Sequence, residues 1–159
     1  MELTEKQKEF MREAIRLASE SVSKGGGPFG AVIVKGDEII AASSNSVTLD
    51  NDPTAHAEVN TIRKACAKLG TFVLKGCDIY TSCEPCPMCL GAIYWAHLDH
   101  IYYGNTRKAA AEIGFDDDFI YRELKVSLNK RSIPIIKMMT DEAAESFNLW
   151  RNNTTKIEY

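Results

Sequence analysis

Two short clusters between residues 53 and 96 constrain this chain more than anything else in it. The first is Pro53-Thr54-Ala55-His56-Ala57-Glu58-Val59. The second is Thr81-Ser82-Cys83-Glu84-Pro85-Cys86-Pro87-Met88-Cys89. Pro53 discourages helix at Asp52 and clears the way for one at Thr54, and Pro87 suits the first turn of another. Each cluster therefore opens a helix. There are five cysteines, an odd number, and three of them fall between positions 83 and 89. That spacing argues for metal binding over a disulfide framework.

Cys86 and Cys89 are separated by about 300° of helical rotation, so their thiols share a face. At a helix start the dipole favours thiolate, the form that binds metal. His56 and Glu58 are about 200° apart, nearly opposite on a regular helix. They serve one site only if it lies off the helix end. One His and two Cys leave a fourth tetrahedral position open for water, and soft sulfur ligands suit zinc. A zinc-bound water has a pKa of about 7, and Glu58 beside it would take the proton and pass it on. Cys83 offers an alternative, a closed structural Cys₃His site. Cys66 and Cys77 read as small buried apolar residues, and His97 and His100 as ordinary surface or core histidines.

The 159 residues are enough for one domain with a real core. A capping box at Thr4-Glu5-Lys6-Gln7 predicts a helix over 4–23, with an apolar stripe of Phe10, Met11, Ala14, Leu17, Ala18 and Val22. Gly25-Gly26-Gly27-Pro28 ends it as a plain turn, since no GK[ST] follows. Strands are predicted over 29–35 and 38–44 as a hairpin, then 77–82, 99–104 and 133–139. Residues 45–53 read as polar loop. Helices are predicted over 54–69, from Pro87 to about Ala96, over 107–113, within 115–124, and over 141–152 with Asp141 as cap. Strand–helix–strand crossovers favour parallel pairs and the hairpin adds an antiparallel one. The expectation is an α/β protein with a mixed five-stranded sheet.

Hydrophobic residues make up 45% and charged residues 26%, ordinary for a globular protein. The net charge of -3 argues against a large nucleic-acid footprint. The opening Met1-Glu2-Leu3-Thr4-Glu5-Lys6 is polar, and the apolar run of residues 90–96 is too short to span a bilayer. A cytoplasmic location without membrane contact is expected.

The spacing H-x-E…P-C-x-x-C is the signature of zinc-dependent deaminases. Through both motifs the chain resembles the cytidine/deoxycytidylate deaminase superfamily over nearly its whole length. Within it, the chain is similar to the bacterial guanine deaminases. That likeness rests on Gly27-Pro28-Phe29-Gly30-Ala31-Val32-Ile33-Val34, Asn51-Asp52-Pro53-Thr54, Ala92-Ile93-Tyr94-Trp95-Ala96, Gly114-Phe115-Asp116-Asp117, Trp150-Arg151-Asn152 and Tyr159. The resemblance implies a three-layer α/β/α fold and hydrolysis of guanine to xanthine and ammonia. It implies one zinc per subunit on His56, Cys86 and Cys89, with Glu58 and Asp117 catalytic. Asn45, Phe29, Ala57, Trp95 and Tyr159 would contact the base. It further implies a homodimer that exchanges its C-terminal segment, about 141–159, so that Tyr159 closes a partner's pocket.

Two classes of rival stand beside this reading. Guanosine, cytosine or tRNA adenosine could be the substrate of the same fold, though a tRNA enzyme calls for more basic surface. A zinc-stabilised binding domain would need no Glu58 and would close its metal site.

Overall fold

Thr4 sets the start of the first element. Its hydroxyl accepts from the Gln7 amide at 3.1 Å, and the Gln7 side chain accepts from the Thr4 amide at 2.9 Å. This is the reciprocal capping box its sequence predicts. In the computed structural model, which describes residues 3–159, α1 spans Glu5–Ser23. The chain falls into two units, Met1–Asp118 and Phe119–Tyr159.

In the first unit, β1 (Gly30–Lys35) and β2 (Glu38–Ser44) make the expected hairpin, followed by β3 (Asp78–Cys83) and β4 (His100–Asn105). The sheet order is β2-β1-β3-β4, with β1 antiparallel to both neighbours and β3 parallel to β4. Side chains alternate across β1. Val32 and Val34 join Phe10, Ala14 and Tyr80 beneath α1. Ala31 and Ile33 face the other way, into a core with Ala57, Ala65, Ile79 and Ile93. That second layer is α3 (Ala57–Leu69) and α4 (Pro87–Trp95), so this unit has the α/β/α layering. The β1–β2 register shifts beside Ile33, and consecutive residues Ile40 and Ala41 both join the α3-side core.

Several expectations need correction. The sheet has four strands among the described residues, not five. Residues 133–139 form no strand, because no neighbouring edge pairs with them and Pro134 lacks a ladder donor. Residues 45–53 include a short helix, α2 (Val47–Asp50). On α1 the stripe turns at its end: Val22 is exposed, and Ser21 is buried with its hydroxyl donating to the Asn45 carbonyl at 3.1 Å.

After β4 comes α5 (Arg107–Glu112), with Thr106 as its cap. The helix α6 (Asp118–Lys125), a 3-10 turn at Leu128–Lys130 and α7 (Thr140–Asn152) complete the chain. Asp141 is not the cap of α7. Met139 holds that place in a left-handed conformation, φ 51°, and Asp141 lies in the first turn. Neither α6 nor α7 buries a residue, although they carry Phe119, Ile120, Phe147 and Leu149.

Candidate active site and metal centre

His56 is the N-cap of α3, and Glu58 is the second residue inside it. This resolves the opposite-face problem, since the site lies off the helix end. Pro53 and the turn before it hold that end, and Asn60 fastens it. The Asn60 Nδ2 donates to Ser46 Oγ at 2.9 Å and to the Ser44 carbonyl at 3.1 Å. Thr61, fully buried, ties the first turn to the sheet by bonding the Ala57 and Ala31 carbonyls.

Cys86 is likewise the N-cap of α4, with Pro87 in the first turn and Cys89 three positions on. Two helix N-termini thus converge, and both dipoles favour negative charge between them. His56 Nδ1 lies 3.5 Å from Cys86 Sγ and 3.4 Å from Cys89 Sγ. A tetrahedral zinc with Zn–N near 2.0 Å and Zn–S near 2.3 Å would set its N and S ligands about 3.5 Å apart. The spacing therefore fits zinc. Among the described residues these three form the one His/Cys/Asp/Glu group gathered closely enough to hold a metal ion.

The electrostatics suit a cation. The Cys89 thiol, hydrogen-bonded to Cys86, pulls the Cys86 pKa down to about 4, with His56 acting in the same direction. Cys89 shifts upward through that same bond and its burial. The bond from Cys86 raises His56, against the effect of burial. A divalent cation held there would favour the thiolate form of both cysteines.

Glu58 is buried, 7% exposed, and burial raises its pKa. Its Oε2 lies 3.4 Å from Cys89 Sγ. Cys83 stays apart. Its thiol donates to the Thr106 carbonyl at 3.8 Å, and burial lifts its pKa to about 11. The closed Cys₃His alternative is not assembled, and the His56–Cys86–Cys89 group has the Glu58 carboxylate beside it.

Other residues singled out in the sequence gather unevenly. Asn45 is buried, and its Oδ1 accepts from the Val47 and Gly27 amides at 3.2 and 3.4 Å. That leaves its Nδ2 donors as what it can offer. Ala57 is fully buried in the first turn of α3. Phe29 meets Phe115 edge-on, ring centroids 4.9 Å apart. Asp117 is raised by burial and then by the Cys86 charge, and its buried Oδ1 has no hydrogen-bond partner. Trp95, at the end of α4, is 66% exposed. Tyr159 belongs to the second unit and is 74% exposed. Sequence reasoning missed Glu84 and Arg107, which bond to each other next to the cysteines. The only signal was a carboxylate lying inside the Cys83–Cys86 interval.

Residues 4–105 match the model of the cytidine and deoxycytidylate deaminase zinc-binding region. The chain belongs to this deaminase family. As a family member it is a zinc-dependent aminohydrolase. It is 54% identical over 151 residues to guanine deaminase from Bacillus subtilis, covering 94% of this chain and 97% of that one. The X-ray structure of guanine deaminase from Bacillus subtilis superposes with a TM-score of 0.93 at 53% identity, over 96% of this chain and 98% of that one. The likeness to tRNA-specific adenosine deaminase from Aquifex aeolicus is shorter: 43% identity over 99 residues, 62% of this chain and 66% of that one. No helix among the described residues of this deaminase is long and apolar enough to cross a membrane.

Proposed function

We propose that this deaminase hydrolyses guanine to xanthine and ammonia, with His56, Cys86 and Cys89 holding one zinc per subunit. The observation that carries the choice of base is the extent of the likeness. Similarity to guanine deaminase runs over 94% of the chain, whereas similarity to a tRNA adenosine deaminase covers 62%.

Bound at the three ligands, zinc supplies the Lewis acidity that makes water a nucleophile near neutral pH. Glu58 takes the proton of the attacking water and delivers it to the exocyclic nitrogen. Water adds at the amine-bearing carbon, the C–N bond breaks, and ammonia leaves. Burial suits Glu58 to hold a proton between these steps, because it stabilises the neutral acid. The Nδ2 donors of Asn45 match acceptor atoms of the base, and the free Asp117 Oδ1 matches its N–H donors. Phe29 and Trp95 supply aromatic surface, and Ala57 leaves room beside the metal.

The reading includes a homodimer that exchanges its C-terminal segments, with Tyr159 closing the partner's pocket. The apolar side chains of α7 support it, because Phe147 and Leu149 are 75% and 67% exposed within one chain. The enzyme would act in the cytoplasm, in purine metabolism, on a free base.

An ammonia-release panel over guanine, guanosine, adenine, cytosine and cytidine tests the assignment. Guanine is expected to be turned over fastest, and a chelator to abolish release. Preference for guanosine or cytosine overturns the choice of base. Sedimentation is expected to give twice the 17.7 kDa chain mass, and a monomer at assay concentration would remove the exchange.

A further inference from the structure

Four contacts bind residues 83–84 to residues 105–107. The Glu84 amide donates to the Asn105 carbonyl at 2.8 Å, and the Cys83 thiol donates to the Thr106 carbonyl at 3.8 Å. The Arg107 amide donates to Glu84 Oε2 at 3.0 Å, and Arg107 Nε stands 4.0 Å from Glu84 Oε1. The first contact belongs to the last pair of the parallel β3–β4 ladder, Cys83 opposite Asn105. The side-chain contacts go further, because they fix the residue that opens α5.

From Arg107 the chain makes the short helix α5 and turns at Gly114, whose φ of 95° suits glycine. The Phe115 amide bonds back to the Ala110 carbonyl at 3.0 Å, and the Phe115 ring seats against Phe29. The Asp117 amide then donates to the Phe115 carbonyl at 3.2 Å. The segment from Arg107 to Asp117 is thus anchored at Glu84 and at Phe29. It ends in a carboxylate whose buried Oδ1 has no partner and whose charge is felt by Cys86 and His56.

We propose that Glu84 is the positioning residue for Asp117, acting by gripping the Arg107 amide at the start of this segment. The carboxylate is suited to the task because its second oxygen stands 4.0 Å from Arg107 Nε, so an ion pair backs the bond to the Arg107 amide. Glu84 is not part of the His56–Cys86–Cys89 group, and its carboxylate contacts Arg107. It acts through the segment it holds. This inference rests on the proposed role of Asp117 in the deaminase reaction.

The test uses the full-length zinc-loaded protein with Glu84→Ala, Glu84→Gln, Asp117→Asn and the Glu84→Ala/Asp117→Asn double variant. Zinc per chain, kcat and KM on guanine, and amide hydrogen exchange are measured. Glu84→Ala is expected to lower kcat by on the order of ten-fold to a hundred-fold, the size of effect that a small misplacement produces. Zinc content stays unchanged, and exchange rises at Arg107 and across residues 115–117. Glu84→Gln keeps an acceptor for the Arg107 amide and restores protection and most of kcat. In the Asp117→Asn background, Glu84→Ala lowers kcat by less than about two-fold more, since both losses share one route. If Glu84→Ala does not fold, Glu84→Asp shortens the grip by one carbon, with the same expected direction. Unchanged exchange at 115–117, losses that multiply in the double variant, or loss of zinc would each overturn the grip. Full kcat in Asp117→Asn would instead overturn the role of Asp117 itself.

Discussion

Glu58 Oε2 lies 3.4 Å from Cys89 Sγ, although the two side chains come from different helices. The contact places a buried carboxylate at the edge of the His56–Cys86–Cys89 group, the three residues gathered closely enough to hold a metal ion. A structural zinc has no use for such a group, and hydrolysis requires it.

Zinc should depend on two of the three clustered cysteines. Cys86→Ser and Cys89→Ser should each lower bound zinc below about a tenth per chain, because each removes one of three protein ligands. Cys83→Ser should keep one zinc, because Cys83 is occupied with the Thr106 carbonyl. Metal analysis of the purified proteins decides this. Zinc loss in Cys83→Ser would restore the closed-site alternative.

Gly30 should not accept a side chain. A Cβ there would overlap the Ala14 carbonyl oxygen and come 2.7 Å from the Ala18 amide nitrogen. The α1 backbone packs directly on β1 at this point and cannot yield cheaply. Gly30→Ala is expected to destabilise the protein by about 2–3 kcal/mol, a fall of roughly 5–10 °C in Tm for a chain of this size. An unchanged melting temperature would show that α1 is free to shift.

Tyr80 should make the fold sensitive to alkali. Its ring is buried, stacked on Tyr102 at 4.5 Å and tilted against Phe10 at 5.4 Å. Burial, followed by the charge of Tyr102, pushes its phenol up to about 12. An unfolded tyrosine ionises near 10. The raised value means that the contribution of Tyr80 is intact below about pH 10 and is lost as pH rises toward 12. It amounts to about 2–3 kcal/mol at full ionisation. Urea unfolding across that window should show a slope that Tyr80→Phe flattens. An equal slope in both proteins would assign the alkaline loss to other groups.

What the sequence revealed, and what it hid, follows from the range of each interaction. The metal group was readable because each half of it is local. Pro53 and Pro87 mark the two helix starts, and the ligands sit at fixed offsets from them. The capping box at Thr4 and the hairpin of β1 and β2 were readable for the same reason. The apolar run of residues 133–139 misled, because a strand exists only when another edge pairs with it, and local composition carries no record of that edge. Asp141 looked like a cap, but the left-handed Met139 starts α7 one residue earlier than that reading allowed. Ser21 lies beneath α1 in place of Val22 because the Asn45 carbonyl waits there, 24 positions along the chain. The Glu84–Arg107 bond was hidden likewise, since 23 positions separate its ends.

One measurement tests the proposed role of Glu58 as proton carrier beside the metal group directly. Glu58→Gln keeps the size of the side chain and removes its basicity. Ammonia release from guanine and zinc per chain are measured on the same preparation. The expected result is one zinc per chain with turnover reduced by at least about a hundred-fold, the lower bound for losing a general base. Turnover within a few-fold of the unaltered enzyme, with zinc retained, would contradict it.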